Sequence, residues 1–193
     1  ATQDSGYVVI GNTKSNDKDI HGNHGISGSL DVWVLRLDMN GDTLWTKCYG
    51  GKNYDNAYSV IQNREGDFVI AGTSFSTDGD LTGRPSGNGN DYWVFKLNSA
   101  GTIITNKWYN NSDQDNAYSI KQTFDNGYIV SGIIADYYSW TLKLDPIGNI
   151  QWQNKSKYPI GSSGIYIDQT SDSAYIMTAT ITGNYIWVQR LDT

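Results

Sequence analysis

Short segments in which apolar residues alternate with other residue types recur four times along the chain. They occupy residues 32–37, 92–97, 139–144 and 186–191, and each has Trp at its second position and a basic residue followed by Leu at its end. An alternation of period two is typical of a β-strand that buries one face and exposes the other. The pattern therefore predicts four related strands.

The Trp residues of these segments recur at regular distances. Intervals of 60, 47 and 47 residues separate Trp33, Trp93, Trp140 and Trp187. Repeats of this length are typical of propeller blades or solenoid coils. The second repeat divides into four strand-like runs, residues 57–62, 68–74, 92–97 and 103–109, and short turns rich in Asp, Asn and Gly join the first run to the second and the third to the fourth. Such turns connect strands in antiparallel order, so each repeat is predicted to be a four-stranded meander.

The repeats follow one another without a linker, so we expect one all-β array. Its units are approximately residues 1–56, 57–116, 117–163 and 164–193. The first unit lacks a first strand and the last lacks a fourth, which leaves two complete units between two partial ones. Propeller rings have about 4 to 8 blades. We therefore expect a part of a larger ring, which further blades or a partner chain would complete.

Two insertions distinguish the first two units from the others. Residues 13–30 and 74–90 lengthen only the connection between the second and third strands. In a meander this connection lies at the same end as the connection to the next unit, and repeat proteins build function on such a face. The predicted binding residues on this face are Asp17, Asp19, Tyr49, Tyr54, Asp55, Asp78, Asp80, Tyr109 and Asp115.

The insertions also carry alternating carboxylates, Asp17 with Asp19 and Asp78 with Asp80. Ca²⁺ takes 6 to 8 oxygen ligands, and carboxylates on a loop can supply some of them. Asp78 and Asp80 are therefore the candidate calcium ligands, and calcium is the one candidate ion. The twelve-residue calcium loop pattern is absent, however, and Asp also favours turns in solvated loops. A purely structural role of these Asp residues in solvated loops therefore stays open as the alternative.

The composition and net charge of the chain limit the classes of partner that it is expected to bind. A net charge of −6 and a pI near 4.7 argue against nucleic acid or an anionic membrane surface, since both need a basic face. No apolar run approaches the ~20 residues of a membrane-spanning helix. The single cysteine, Cys48, is expected to be a small buried strand residue. No nucleophile elbow, phosphate loop or paired metal-ligand motif indicates catalysis.

A Leu-Asp-x-x-Gly-x-x-x-Trp segment occurs in two units. It spans residues 37–45 and 144–152, whereas the second unit has Asn98 and Thr105 in place of the Asp and the Trp. The segment is similar to the tryptophan-docking motif of quinoprotein-type β-propellers, in which that Trp packs against the neighbouring blade. This resemblance implies the same packing for Trp45 and Trp152 here.

The whole repeat resembles the propeller units of secreted bacterial surface proteins, many of them type IX secretion cargo. The shared segments include Tyr-Ser-Ile-x-Gln at residues 118–122, Asn-Gly-Tyr-Ile-Val at 126–130 and Tyr-Trp-Val-x-Lys-Leu at 92–97. The resemblance implies a propeller that is extracellular or on the bacterial cell surface. We expect a non-enzymatic module that binds a protein or glycan through its long loops. The alternatives are a carbohydrate-active hydrolase or lyase with Asp residues in the propeller channel, and a structural spacer in an adhesin.

Overall fold

A computed structural model describes residues 1–26, 28–85, 89–156, 163–181 and 185–192. This part of the chain forms four antiparallel β-sheets and two short 3-10 helices, Gly79–Leu81 and Ala135–Tyr137. The strands are β1 (Tyr7–Thr13), β2 (Asp31–Leu37), β3 (Thr43–Tyr49), β4 (Asp55–Gln62), β5 (Phe68–Ser74), β6 (Asp91–Leu97), β7 (Ile103–Tyr109), β8 (Asn116–Gln122), β9 (Tyr128–Ile133), β10 (Ser139–Leu144), β11 (Ile150–Lys155), β12 (Ser163–Gln169), β13 (Tyr175–Ile181) and β14 (Tyr185–Leu191).

Each sheet is a meander of consecutive strands. The first sheet has the order β1-β2-β3, the second β4-β5-β6-β7, the third β8-β9-β10-β11 and the fourth β12-β13-β14. The prediction of an all-β chain built from antiparallel units is confirmed, and none of the four described sheets closes on itself. Strands β5 and β7 coincide with the predicted runs, while β4 and β6 begin slightly earlier, at Asp55 and Asp91. Residues 157–162 and 182–184 of the last two predicted units lie outside the described residues.

The turns between the third and fourth strands of a unit share one hydrogen-bond pattern. In the first unit, the Asp38 carboxylate accepts the backbone N–H groups of Asn40 at 2.8 Å and of Asp42 at 2.9 Å. Gly41 follows with a φ of 91°, in the left-handed region that glycine reaches without a steric penalty. Asn98 and Asp145 repeat the pattern, which explains why Asp or Asn opens each turn and Gly closes it.

Three apolar cores lie between successive sheets. Strands β5, β6, β9 and β10 are buried on both faces, because the second and third sheets each pack against a neighbour on either side. Trp93 and Trp140 are among the largest fully buried side chains, and each donates its indole N–H within its own sheet, to Asn106 at 2.6 Å and Gln153 at 2.9 Å. Trp33 is only half-buried.

Repeated polar contacts join each sheet to the next. The side chain of Gln62 accepts the backbone N–H of Gln3 at 2.7 Å. Gln122 and Gln169 make the same contact to the unit before them, with Arg64 at 2.9 Å and Phe124 at 2.8 Å. These glutamines end the first strand of their units, so a residue that recurs in the sequence has a recurring structural role.

The basic residue that ends each Trp segment also has one recurring partner. Arg36, Lys96, Lys143 and Arg190 pair with Asp4, Asp67, Asp125 and Asp172, which lie in the turn before the second strand. Partial burial opposes ionisation of Asp125, but hydrogen bonds from Lys143 and Thr123 lower its pKa to about 2. The motif therefore holds the hairpin turn to the third strand. No helix in the described residues is long and apolar enough to span a membrane.

Candidate functional site at the two insertions

The two insertions begin with the same eight-residue turn. Residues 15–22 and 76–83 both follow the pattern Ser-x-Asp-x-Asp-apolar-x-Gly, and we call them the first and second acidic turns. Lys18 and Gly79, at the same position, have φ angles of 53° and 60°. Ile20 and Leu81 each donate their backbone N–H to the first Asp carbonyl of their turn, at 3.1 Å and 3.0 Å. The two turns therefore share a positive φ and one backbone hydrogen bond, and the second continues as the 3-10 helix Gly79–Leu81.

The second acidic turn binds main-chain groups of the preceding unit. The Asp80 carboxylate accepts the backbone N–H of Gly50 at 3.0 Å, and the Asp78 carboxylate accepts that of Lys52 at 2.9 Å. The backbone N–H of Asp80 donates in return to the Gly50 carbonyl at 2.9 Å. Hydrogen bonds from the backbone and side chain of Lys52 lower the pKa of Asp78. The second acidic turn is thus a receptor for residues 50–52.

Only glycine fits the centre of that connection. A Cβ on Gly51 would lie 2.5 Å from Asp78 Oδ1, and Gly50 has a φ of 154°. Both conditions exclude an ordinary side chain unless the backbone shifts. The Gly-Gly sequence is therefore a requirement of the close approach between the connection and the turn.

Asp55 anchors the other end of the connection. Its buried carboxylate accepts the hydroxyl of Ser74, the hydroxyl of Ser76 at 2.7 Å and the backbone N–H of Gly51 at 2.7 Å. Burial raises the pKa of Asp55 to about 6, although the three donors oppose that rise. Asp115, the equivalent residue in the next unit, accepts from Asn111 and Ser112, and burial raises its pKa as well.

A second pair of buried carboxylates begins the third strands. Asp91 binds Arg84 Nε at 2.7 Å through one oxygen and Asn110 Nδ2 at 2.8 Å through the other. In the first unit, Asp31 accepts the backbone N–H of His24 at 2.7 Å and lies 3.0 Å from His24 Nδ1. Its Oδ1 atom has no hydrogen-bond partner among the described residues. Burial raises the pKa of Asp31.

The first acidic turn has its carboxylates exposed. Asp17 accepts the hydroxyl of Ser15, and both Asp17 and Asp19 are exposed to solvent. Between this turn and the outer face of the first sheet lies a groove of about 560 Å³, with Trp33 and Leu35 on the sheet side. In the second unit the counterparts Leu81, Trp93 and Phe95 lie within one core. Side chains of the first sheet, including Val32 and Val34, belong to the same core.

A second groove, of about 470 Å³, lies on the other side of the first acidic turn. His21 lines both grooves, and His24, Lys47, Cys48 and Asp80 line the second one.

Burial raises the pKa of Cys48 to about 11, so its thiol stays protonated at neutral pH. The prediction of a buried strand cysteine is confirmed. Within the described ranges no group of three or more His, Cys, Asp or Glu side chains could hold a metal ion.

The structure separates the predicted binding residues into exposed and buried groups. Asp17, Asp19 and Tyr54 are exposed. Tyr49 and Tyr109 are buried, and their hydroxyls donate to the carbonyls of Gly101 and Gly148 in the next unit, each at 2.7 Å. Burial raises the pKa of both tyrosines. Asp55, Asp78, Asp80 and Asp115 are engaged by protein donors, and the binding role of these residues stays a prediction.

The sequence did not predict the acidic turn as a unit, nor the contacts that Asp31, His24 and Arg84 make in the structure. The signal for the turn was present, because the two eight-residue patterns align without a gap. The contacts of the turn with glycine amides become visible only in three dimensions. Comparison of the sequence with family models and with curated proteins found no match.

Proposed function

We propose that the chain is a non-enzymatic binding module of an exported bacterial surface protein, located outside the cell or on its surface. Its four sheets would be consecutive blades of a β-propeller. The repeated glutamine contacts between neighbouring units support this arrangement. So does the packing of Trp45, whose ring lies 6.2 Å from Phe68 of the next sheet and whose indole N–H donates to Ser99 at 2.9 Å.

One observation carries the binding role. The first acidic turn repeats the sequence pattern, the positive φ and one backbone hydrogen bond of the second, which binds main-chain amides, yet its two carboxylates are exposed beside a groove with Trp33 and Leu35 on one side. Exposed acceptors next to an indole face can hold a peptide backbone and an apolar side chain together. We therefore place the ligand in the groove between residues 17–21 and Trp33, and propose a protein segment as the ligand.

A selection from a random peptide library displayed on phage tests this role. We expect peptides that bind the immobilised chain and lose binding when Asp17→Asn and Asp19→Asn are combined. Both residues are exposed, so the double variant should keep its circular dichroism spectrum. Asp42→Asn, which removes one exposed carboxylate from a turn at the other end of the sheet, is the matched control.

Two results would contradict the proposal in different ways. Peptides that bind the double variant as well as the original chain would show that the groove is not the site. A glycan array that gives ligands dependent on Trp33, together with an unproductive peptide selection, would keep the site and change the class of ligand from protein to carbohydrate.

A further inference from the structure

Strand β1 has an unpaired edge, and the first acidic turn that follows it has exposed carboxylates. β1 pairs with β2 along one edge and with no described strand along the other. Tyr7 and Val9 on this strand are 45% and 42% exposed. Its equivalent in the second unit, β5, pairs with β4 on the corresponding edge. An unpaired edge presents backbone groups to which a further strand can add.

In the second unit, one continuous segment occupies both places. Residues 50–53 lie on the second acidic turn, Asp55 is bound by Ser74 and Ser76, and β4 continues along the edge of β5. The backbone N–H of Asn53 also donates to the Ser76 hydroxyl at 3.0 Å. The connection and the strand therefore form one ligand of the second unit.

The first unit holds the same receiving groups. Thr13 and Ser15 stand where the second unit has Ser74 and Ser76. The backbone N–H of Ser15 donates to the Thr13 hydroxyl at 3.0 Å, and that of Ser76 donates to Ser74 at the same distance. Asp17 and Asp19 supply the two carboxylates of the turn. Two hydroxyls, two carboxylates and a strand edge thus occur in the same order as around residues 50–62. The Ser15 hydroxyl donates to Asp17 of its own turn, whereas the Ser76 hydroxyl donates to Asp55.

We propose that the first acidic turn and the free edge of β1 bind an extended segment with the pattern Gly-Gly-Lys-x-x-Asp followed by an alternating strand, presented by a further repeat of this kind. This identification of the ligand rests on the proposed function. By analogy with residues 50–55, the amide of the first glycine binds Asp19 and that of the second binds the terminal Asp of the same segment. The Lys amide and ammonium bind Asp17, the terminal Asp accepts from Thr13 and Ser15, and the strand adds to β1. Strand addition of this type combines main-chain affinity with side-chain specificity.

A synthetic peptide with the sequence of residues 49–62 tests this ligand, with isothermal titration calorimetry as the measurement. We expect saturable binding, and a loss of at least tenfold in affinity for the Asp19→Asn chain, because a hydrogen bond to a charged group is removed. A peptide with both glycines changed to Ala should not bind, since the Cβ of the second would meet a carboxylate. Asp42→Asn is again the control chain.

A fusion provides a second measurement that does not depend on peptide solubility. The backbone N–H of Thr2 donates to the Gly6 carbonyl at 2.8 Å, and that of Asn63 donates to the Asp67 carbonyl at 2.9 Å. Thr2 and Asn63 therefore hold the same position in their units, and Ala1 aligns with Gln62. Residues 49–61 placed directly before Ala1 would therefore reach β1 in register. We expect this fusion to have a higher Tm than the original chain, and the glycine-to-alanine fusion to have no such increase.

The outcomes separate this inference from the proposed function. Failure of the peptide and of the fusion, while library peptides or glycans bind at Asp17 and Asp19, would overturn the inference and leave the binding role intact. Failure of every ligand would overturn both. Equal binding of the glycine and alanine peptides would also overturn the inference, because the close approach to the turn would then not be made.

Discussion

The substitution Leu81→Ala tests whether the second insertion is part of the core. Leu81 ends the 3-10 helix Gly79–Leu81 and is fully buried in the same core as Trp93 and Phe95. From the sequence, residues 74–90 are expected to form a binding loop at the surface. The structure places Leu81 between the first and second sheets, so we expect its truncation to weaken the fold.

The magnitude follows from the lost apolar contacts. Leu→Ala removes the equivalent of three buried methylene groups, each contributing about 0.8 kcal/mol, and leaves a cavity that adds to the cost. We therefore expect the free energy of unfolding to fall by about 3 kcal/mol. For a chain of 193 residues, this corresponds to a decrease in Tm of roughly 6–12 °C.

Urea denaturation followed by far-UV circular dichroism measures this change, provided that the m value stays constant. Ile20→Ala is the matched control, because Ile20 holds the same position in the first acidic turn but is only half-buried beside the open groove. Its cost should stay below about 1.5 kcal/mol. A cost below about 1 kcal/mol for Leu81→Ala, or equal costs for the two variants, would refute the assignment of the second insertion to the core.

Two further predictions concern the connection between the first two units. Burial raises the pKa of Asp55 to about 6 from 3.8, so the folded chain takes up a proton that the unfolded chain does not as the pH falls from 7 towards 4. The free energy of unfolding should then rise by up to about 3 kcal/mol between pH 7 and pH 4, and by less in Asp55→Asn. Urea denaturation at each pH measures this rise, and an equal rise for the two chains would contradict the raised pKa of Asp55. Gly51→Ala should cost at least about 2 kcal/mol in the same assay, because its Cβ would meet Asp78 Oδ1 at 2.5 Å. Lys52→Ala removes an exposed ion pair with Asp78 and should cost less than about 1 kcal/mol; similar costs would refute the steric argument.

The strands were predictable because their signal is local. Alternation and turn residues define β5 and β7 to the residue. Both signals act within a few neighbouring residues, where the backbone geometry depends directly on the side chains. The sheets and their order therefore follow from the sequence with little help from tertiary structure.

The roles of the acidic residues were not predictable in the same way. Asp78 and Asp80 suggest calcium ligands as a sequence pattern, and in the structure they accept the amides of Lys52 and Gly50. Those partners lie in another unit, and only the packing of one sheet on the next brings them together. Tyr49 ends its strand at the insertion-bearing end, yet its ring is buried because the neighbouring sheet covers it.

The glutamine contacts between units contribute to how the array responds to a destabilising substitution. In a linear array, stability is approximately the sum of the intrinsic stability of each unit and of nearest-neighbour terms. Gln62, Gln122 and Gln169 each join one unit to the one before it, so they belong to the nearest-neighbour terms. A destabilising substitution in one unit therefore also weakens the adjacent unit, and the glutamine contacts act at each boundary together with the apolar core between the two sheets.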